Sequence, residues 1–223
     1  MSTARQRVDF DLTQFDSLMS QKGLNLLHER RVSCPCLSDE DSTPAPDCPL
    51  CFGSGHYYLP AVTIQGILTS MNADYSLGSE GISEVGAVMI SAMASTRLAF
   101  RDRITLPDAR VVFSESISFD GTTDPLNPAL RYNILDCQGV VGLDGTIYDP
   151  YADYKVNPDG TFTWLNASPP DKYGIRYLTY PRWLLMNFGH LVRGILTKFK
   201  QPSIEYVELP IQAMGRLEWM VEK

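Results

Sequence analysis

The sequence predicts a mainly β protein, a small β-barrel or sandwich with an inserted β layer, a short N-terminal helix and a four-cysteine knuckle. Its 16 glycines, 15 prolines and 11 tyrosines sit between short β-branched runs rather than along a helical apolar period. Asp144-Gly145 and Asn157-Pro-Asp-Gly160 are hairpin signals with strand-like segments beside them. With 44% hydrophobic content in 223 residues, the chain can bury a sizeable core, as one elaborated domain or two small ones.

Residues 1–10 are polar and read as an arm that orders only against a partner. Asp11 to Gln21 reads as a short amphipathic helix: Asp11 caps it, Leu12, Phe15, Leu18 and Met19 share a face, and Gly23 stops it. That stripe serves either the chain's own barrel or a neighbouring subunit. Leu24 to Val32 has too few periodic positions for a second helix and runs extended. His28, beside Glu29, Arg30 and Arg31, is expected on a solvated surface, with nothing near it that marks a base or a ligand.

The stretch from Cys34 to Tyr58 holds four of the five cysteines, as Cys34-x-Cys36 and Cys48-x2-Cys51. Between the pairs lie mostly turn formers and acids, such as Asp39, Glu40, Pro44 and Asp47. A loop this polar folds only if something other than apolar burial fixes it. Four thiolates converging on one tetrahedral zinc would do so, and Gly53 and Gly55 supply positive φ for chain wrapped round a metal. Two disulfides, for example Cys34–Cys51 with Cys36–Cys48, would staple the same loop, and spacing does not decide connectivity. The N-terminal MSTARQRVDF carries no apolar h-region, so a reducing compartment is expected, where close cysteine pairs favour a metal. The expected ligands are Cys34, Cys36, Cys48 and Cys51, with His56 as the alternative in a Cys3His set. Four thiolates leave no open position for water, so the expected zinc is structural.

Beyond the knuckle, Ala61–Ser70, Val85–Met93, Phe100–Leu106 and Ala109–Phe119 read as short strands. Residues 121–180 read as a separate layer, with strands at Ala129–Val141, Tyr151–Val156, Thr161–Leu165 and Tyr173–Tyr180. Asp136, Asp144, Asp149 and Asp153 do not match the spacing of an EF-hand loop. Cys137, alone in an apolar run, reads as a buried small hydrophobe. Arg182–Phe188, His190–Phe199 and Leu209–Met220 read as closing strands, with His190 hydrogen-bonded within its pair. Arg193, Lys198 and Lys200 gather positive charge on a solvated face or an intersubunit contact.

The net charge of −7 argues against a general grip on nucleic acid, and no apolar run is long enough to span a membrane. The chain has no G-x-S-x-G elbow, P-loop, dinucleotide fingerprint or H-E-x-x-H helix. Its three histidines stand in separate contexts, and the zinc deaminase signature lacks its His-x-Glu. The chain is expected not to be an enzyme.

A short N-terminal helix comes first, then Cys-x-Cys…Cys-x2-Cys-x-Gly-x-Gly with a Tyr57-Tyr58 exit. Arg101-Asp-Arg-Ile104, Tyr177-Leu-Thr-Tyr-Pro-Arg-Trp183 and Leu209-Pro-Ile-Gln-Ala-Met-Gly-Arg-Leu-Glu-Trp219 follow in a β-rich body. In these features the chain resembles structural proteins of the tailed-bacteriophage neck, of the head-closure, collar or head-to-tail connector type. The resemblance implies an N-terminal arm and helix over 1–33 and the knuckle over 34–58. It also implies a barrel built from 59–120 and 181–223, with the inserted layer at 121–180. It implies a ring-shaped homo-oligomer in the virion neck, assembled in the host cytoplasm. Its neighbours would be a portal or head-tail adaptor protein and a tail terminator or tail protein, with double-stranded DNA passing through without sequence-specific binding. Acidic channel walls suit that role because they do not hold phosphates. The cysteine unit also resembles the module of DnaJ-type chaperones, which repeats Cys-x2-Cys-x-Gly-x-Gly where this chain has one such unit and a Cys-x-Cys. The alternative reading is a zinc-stabilised, non-enzymatic adaptor or binding module in a cellular complex.

Overall fold

The computed structural model describes residues 12–37, 43–70, 86–93, 95–119, 124–165, 169–188, 194–197, 205–208 and 210–221. They fall into two compact units, Met1–Leu106 with Arg182–Lys223, and Pro107–Pro181. In the first, α1 (Leu12–Lys22) leads into β1 (Leu24–Glu29). Next, β2 (Arg31–Ser33) and β3 (His56–Tyr58) flank the cysteine loop, and β4 (Val62–Ser70), β5 (Ala87–Ala92) and β6 (Arg103–Thr105) follow. The second unit holds β7 (Val111–Ser118), β8 (Asp136–Gly142), β9 (Ile147–Tyr148), β10 (Tyr154–Val156), β11 (Phe162–Trp164) and β12 (Lys172–Thr179). The chain then returns to the first unit as β13 (Arg182–Phe188), β14 (Gly194–Thr197), β15 (Glu205–Glu208), β16 (Ile211–Leu217) and α2 (Glu218–Val221).

Strands β1-β4-β5-β16-β13-β6 form a closed antiparallel barrel, β6 pairing back onto β1. Closure leaves the barrel sheet itself without a free edge. Side-chain alternation sends Leu26, Ile90, Ala92, Ile104, Leu185 and Ala213 inward, all fully buried. Small residues make room for the large ones: a Cβ at Gly66 would lie 2.7 Å from the Leu26 side chain. Helix α1 lies against β4 and anchors through fully buried Met19, with Phe15 half-buried and Leu18 49% exposed. The stripe is thus used partly on the chain's own barrel. Gly23 N closes the helix onto Met19 O at 2.8 Å, and a Cβ at Gly23 would collide with that oxygen.

The second unit pairs β7-β12-β8-β9 into one antiparallel sheet, beside a β10–β11 hairpin turned by Gly160 at φ 81°. Its core is aromatic. Tyr154 stacks on Phe162 with ring centres 5.0 Å apart, and Trp164 meets Tyr173 edge-on at 5.0 Å.

The inserted unit begins before residue 121. Strand β7 pairs along its whole length with β12, from Val111↔Thr179 to Ser118↔Lys172, and so joins the inserted sheet instead of the barrel. Its alternating half-buried and exposed residues suit either wall, so local pattern could not assign it. Thr105 pairs with Arg182, so the insertion leaves and returns on neighbouring barrel strands. Cys137 is half-buried, its thiol 3.6 Å from Tyr154 Oη, because β8 lies beside the short edge strand β9. The closing strand ends at Leu217 and turns into α2, where Glu218 is buried. The polar arm, Asp11, residues 166–168, His190, Arg193, Lys198 and Lys200 lie outside the described residues.

Candidate metal centre

Strands β2 and β3 pair as Arg31↔Tyr58, Val32↔Tyr57 and Ser33↔His56, and the cysteine loop is the tip of this hairpin. Backbone bonds fold the two cysteine pairs together: Cys34 N donates to Gly55 O at 2.9 Å, Phe52 N to Cys48 O at 2.8 Å and Ser54 N to Cys51 O at 2.9 Å. Gly53 and Gly55 take φ of 81° and 73°, as the sequence led us to expect, and glycine does so without steric cost. Phe52 also takes a positive φ of 48°, with its side chain 84% exposed.

The four sulfurs all lie within 4.8 Å of one another, with Cys34–Cys48 at 3.6 Å and Cys36–Cys51 at 3.4 Å. A tetrahedral ion with metal–sulfur bonds of about 2.3 Å spaces its ligands about 3.8 Å apart, so one ion fits this set. Disulfide sulfurs would be only about 2.0 Å apart; all four cysteines are free thiols. The loop's core consists of the cysteines themselves, Cys34, Cys48 and Cys51 buried with Cys36 packed against them. Four thiol groups brought together without an apolar core are what a metal would hold. The backbone amides of Cys51 and Leu50 pull the Cys48 thiol down to about 6, while burial pushes Cys36 up to about 12. One sulfur is therefore ready as a thiolate, and another needs a cation beside it to ionise.

His56 does not belong to this cluster. Its Nδ1 lies 3.0 Å from Ser54 O, and its ring meets Tyr58 edge-on. Among the described residues, only Cys34, Cys36, Cys48 and Cys51 form a group that could hold a metal ion.

His28 is not at the surface. It is 2% exposed, with Nε2 2.8 Å from Asp102 Oδ2. Asp102, 1% exposed, also accepts from Ala99 N at 2.8 Å and Arg31 N at 2.9 Å. The charged neighbours Glu29, Arg30 and Arg31 pointed to solvent, but the period of two that buries Leu26 also buries His28. That period, followed from Leu26, was the signal available for it. The sequence reading also missed Arg103 and Glu218, whose ion pair at 2.6 Å lies in the barrel unit.

No known protein-family pattern matches the chain, and no curated protein matches it in sequence. Fold and site define a class by themselves: a closed six-stranded β-barrel with an inserted β unit and a four-cysteine, metal-capable knuckle.

Proposed function

We propose that this chain is a structural protein of the tailed-phage neck, forming a ring between portal or adaptor and tail that extends the DNA channel. The observation that carries this reading is the architecture: a closed barrel whose neighbouring strands β6 and β13 open into an inserted β unit. The resemblance of the sequence to neck proteins implies a small barrel of that kind. The metal is zinc, held by Cys34, Cys36, Cys48 and Cys51. Zinc takes sulfur readily, accepts a tetrahedral site and has no redox chemistry. Four thiolates close its shell, so its role is to fold the loop that presents Leu50 and Phe52, 58% and 84% exposed. The net charge of −7 lets DNA pass without holding its phosphates. The chain performs no catalysis.

Reconstruction of the particle tests this reading. It predicts a ring of these barrels between portal or adaptor and tail. A chain absent from purified virions, or monomeric in every assembly it enters, would refute it and leave the zinc-stabilised adaptor.

A further inference from the structure

Near the base of the β2–β3 hairpin, a cavity of about 470 Å³ opens in the barrel unit. Among the described residues, Arg30, Arg31 and Arg97 line it with one acid, Asp102, in a chain whose net charge is −7. The acid is already engaged: Oδ2 takes His28 Nε2 and Ala99 N, each at 2.8 Å, and Oδ1 takes Arg31 N at 2.9 Å. Those bonds pin β1, the start of β2 and the loop before β6 around one buried carboxylate. The cavity wall is therefore set before anything enters it, which lowers the entropy cost of binding.

Arg31 Nε is shielded from water and has no hydrogen-bond partner. Among the described residues, neither Arg30 nor Arg31 forms an ion pair. What calls for an oxyanion is the pair of guanidinium charges at the recess without an ion partner, and not the shielded Nε alone, since Arg103 Nε is shielded and unpartnered as well. The remaining walls combine aliphatic side chains, from Val32, Leu59, Ile64 and Ala99, with the polar Ser95, Thr96 and His28.

We propose that this cavity binds a carboxylate carried on an apolar stem, that of an acidic peptide segment with aliphatic neighbours. The guanidinium fork matches a carboxylate, and the aliphatic walls match the stem. A DNA backbone presents a long row of phosphates and calls for a row of cations along an open face. Here the arginines converge on one recess of an acidic chain. The proposal does not rest on the neck reading, since it draws only on the cavity and its charges.

The test titrates ¹⁵N-labelled full-length protein with the peptide acetyl-Leu-Glu-Leu-amide and with its glutamine counterpart, following the Nε–Hε signal of Arg31. The glutamate peptide should shift that signal and bind at least about tenfold more tightly than the glutamine peptide. Arg31→Gln should abolish the difference while leaving metal content and thermal midpoint unchanged, since the Asp102 bond uses the backbone amide of residue 31. Should that variant fail to fold, Arg30→Gln should narrow the difference instead. Equal binding of the two peptides, or an Arg31 signal that neither peptide moves, would overturn the proposal. So would an Arg31 signal moved by a short DNA duplex or inorganic phosphate and not by the glutamate peptide, which would assign the cavity to phosphate.

Discussion

The Arg103 guanidinium sits 3.6 Å from the centre of the Tyr58 ring. Tyr58 ends the strand that returns from the cysteine loop, and Arg103 begins β6, so this contact couples the knuckle to the barrel wall. The same guanidinium reaches Glu218 at 2.6 Å and Glu29 at 3.6 Å, and Arg182 stands 3.5 Å from the other Glu218 oxygen. Since Glu218 is only 3% exposed, its charge depends on these arginines more than on water.

Arg103→Met should therefore destabilise the barrel by about 3–5 kcal/mol, because it leaves a buried carboxylate short of its closest partner. Tyr58→Leu removes the ring beneath the cation with its edge contact to His56 and its hydroxyl's 3.4 Å bond to Arg101 O, but strands no buried charge, and should cost less, about 1–2 kcal/mol. Urea unfolding of the two variants measures both. Equal costs would show that the ring, not the carboxylate, is what Arg103 mainly serves.

A second prediction concerns His28 and Asp102. Removing Asp102 leaves His28 Nε2 and the amides of Ala99 and Arg31 without their acceptor, so Asp102→Leu should cost about 3–5 kcal/mol. The double variant His28→Leu/Asp102→Leu should cost less than the sum of the single changes, by about 1–3 kcal/mol, because the two side chains act as a pair. Strict additivity in a double-mutant cycle would contradict this.

The helix stripe divides into a core position and a surface position. Met19→Ala should lower the stability of the free chain by about 2–5 kcal/mol, as the loss of a fully buried side chain does. Leu18→Asp, at a position 49% exposed, should leave it within about 0.5 kcal/mol. If the exposed part of the stripe serves a neighbouring subunit, Leu18→Asp should still block ring formation. A Leu18→Asp chain that unfolds in isolation would show that the barrel depends on Leu18 as well as Met19.

Metal binding should depend on pH with a definite sign. Around neutrality the metal-free loop carries a thiolate at Cys48, held down to about 6, and a proton on Cys36, pushed up to about 12. A metal takes thiolates, so it must expel the Cys36 proton, and affinity falls as pH falls. Below about 6 the Cys48 thiol is protonated as well, and the fall should steepen. Chelator competition across about pH 5 to 8 measures the slope, and an affinity that does not change over that range would contradict proton release from the cysteines.

The β class and the knuckle could be read from the chain because both signals are local. Side-chain alternation repeats every second residue, and the cysteine pairs are close in sequence. What the chain did not reveal depends on distant partners. His28 meets an acid 74 positions away, and no pattern around either residue announces the other. β7 alternates in the same way whether it lines the barrel or pairs with β12, so the start of the insertion followed only from its register. His56 had the spacing of a ligand, yet pairing with Ser33 places it in the hairpin stem, where its Nδ1 faces Ser54 O.

The four-cysteine knuckle stands or falls on the metal content of the purified chain. Elemental analysis should find about one zinc per chain, and Cys36→Ser or Cys48→Ser should lower it sharply, since each removes one of the four ligands. Protein that carries no metal, with two disulfides joining the same four cysteines by mass spectrometry, would contradict the account.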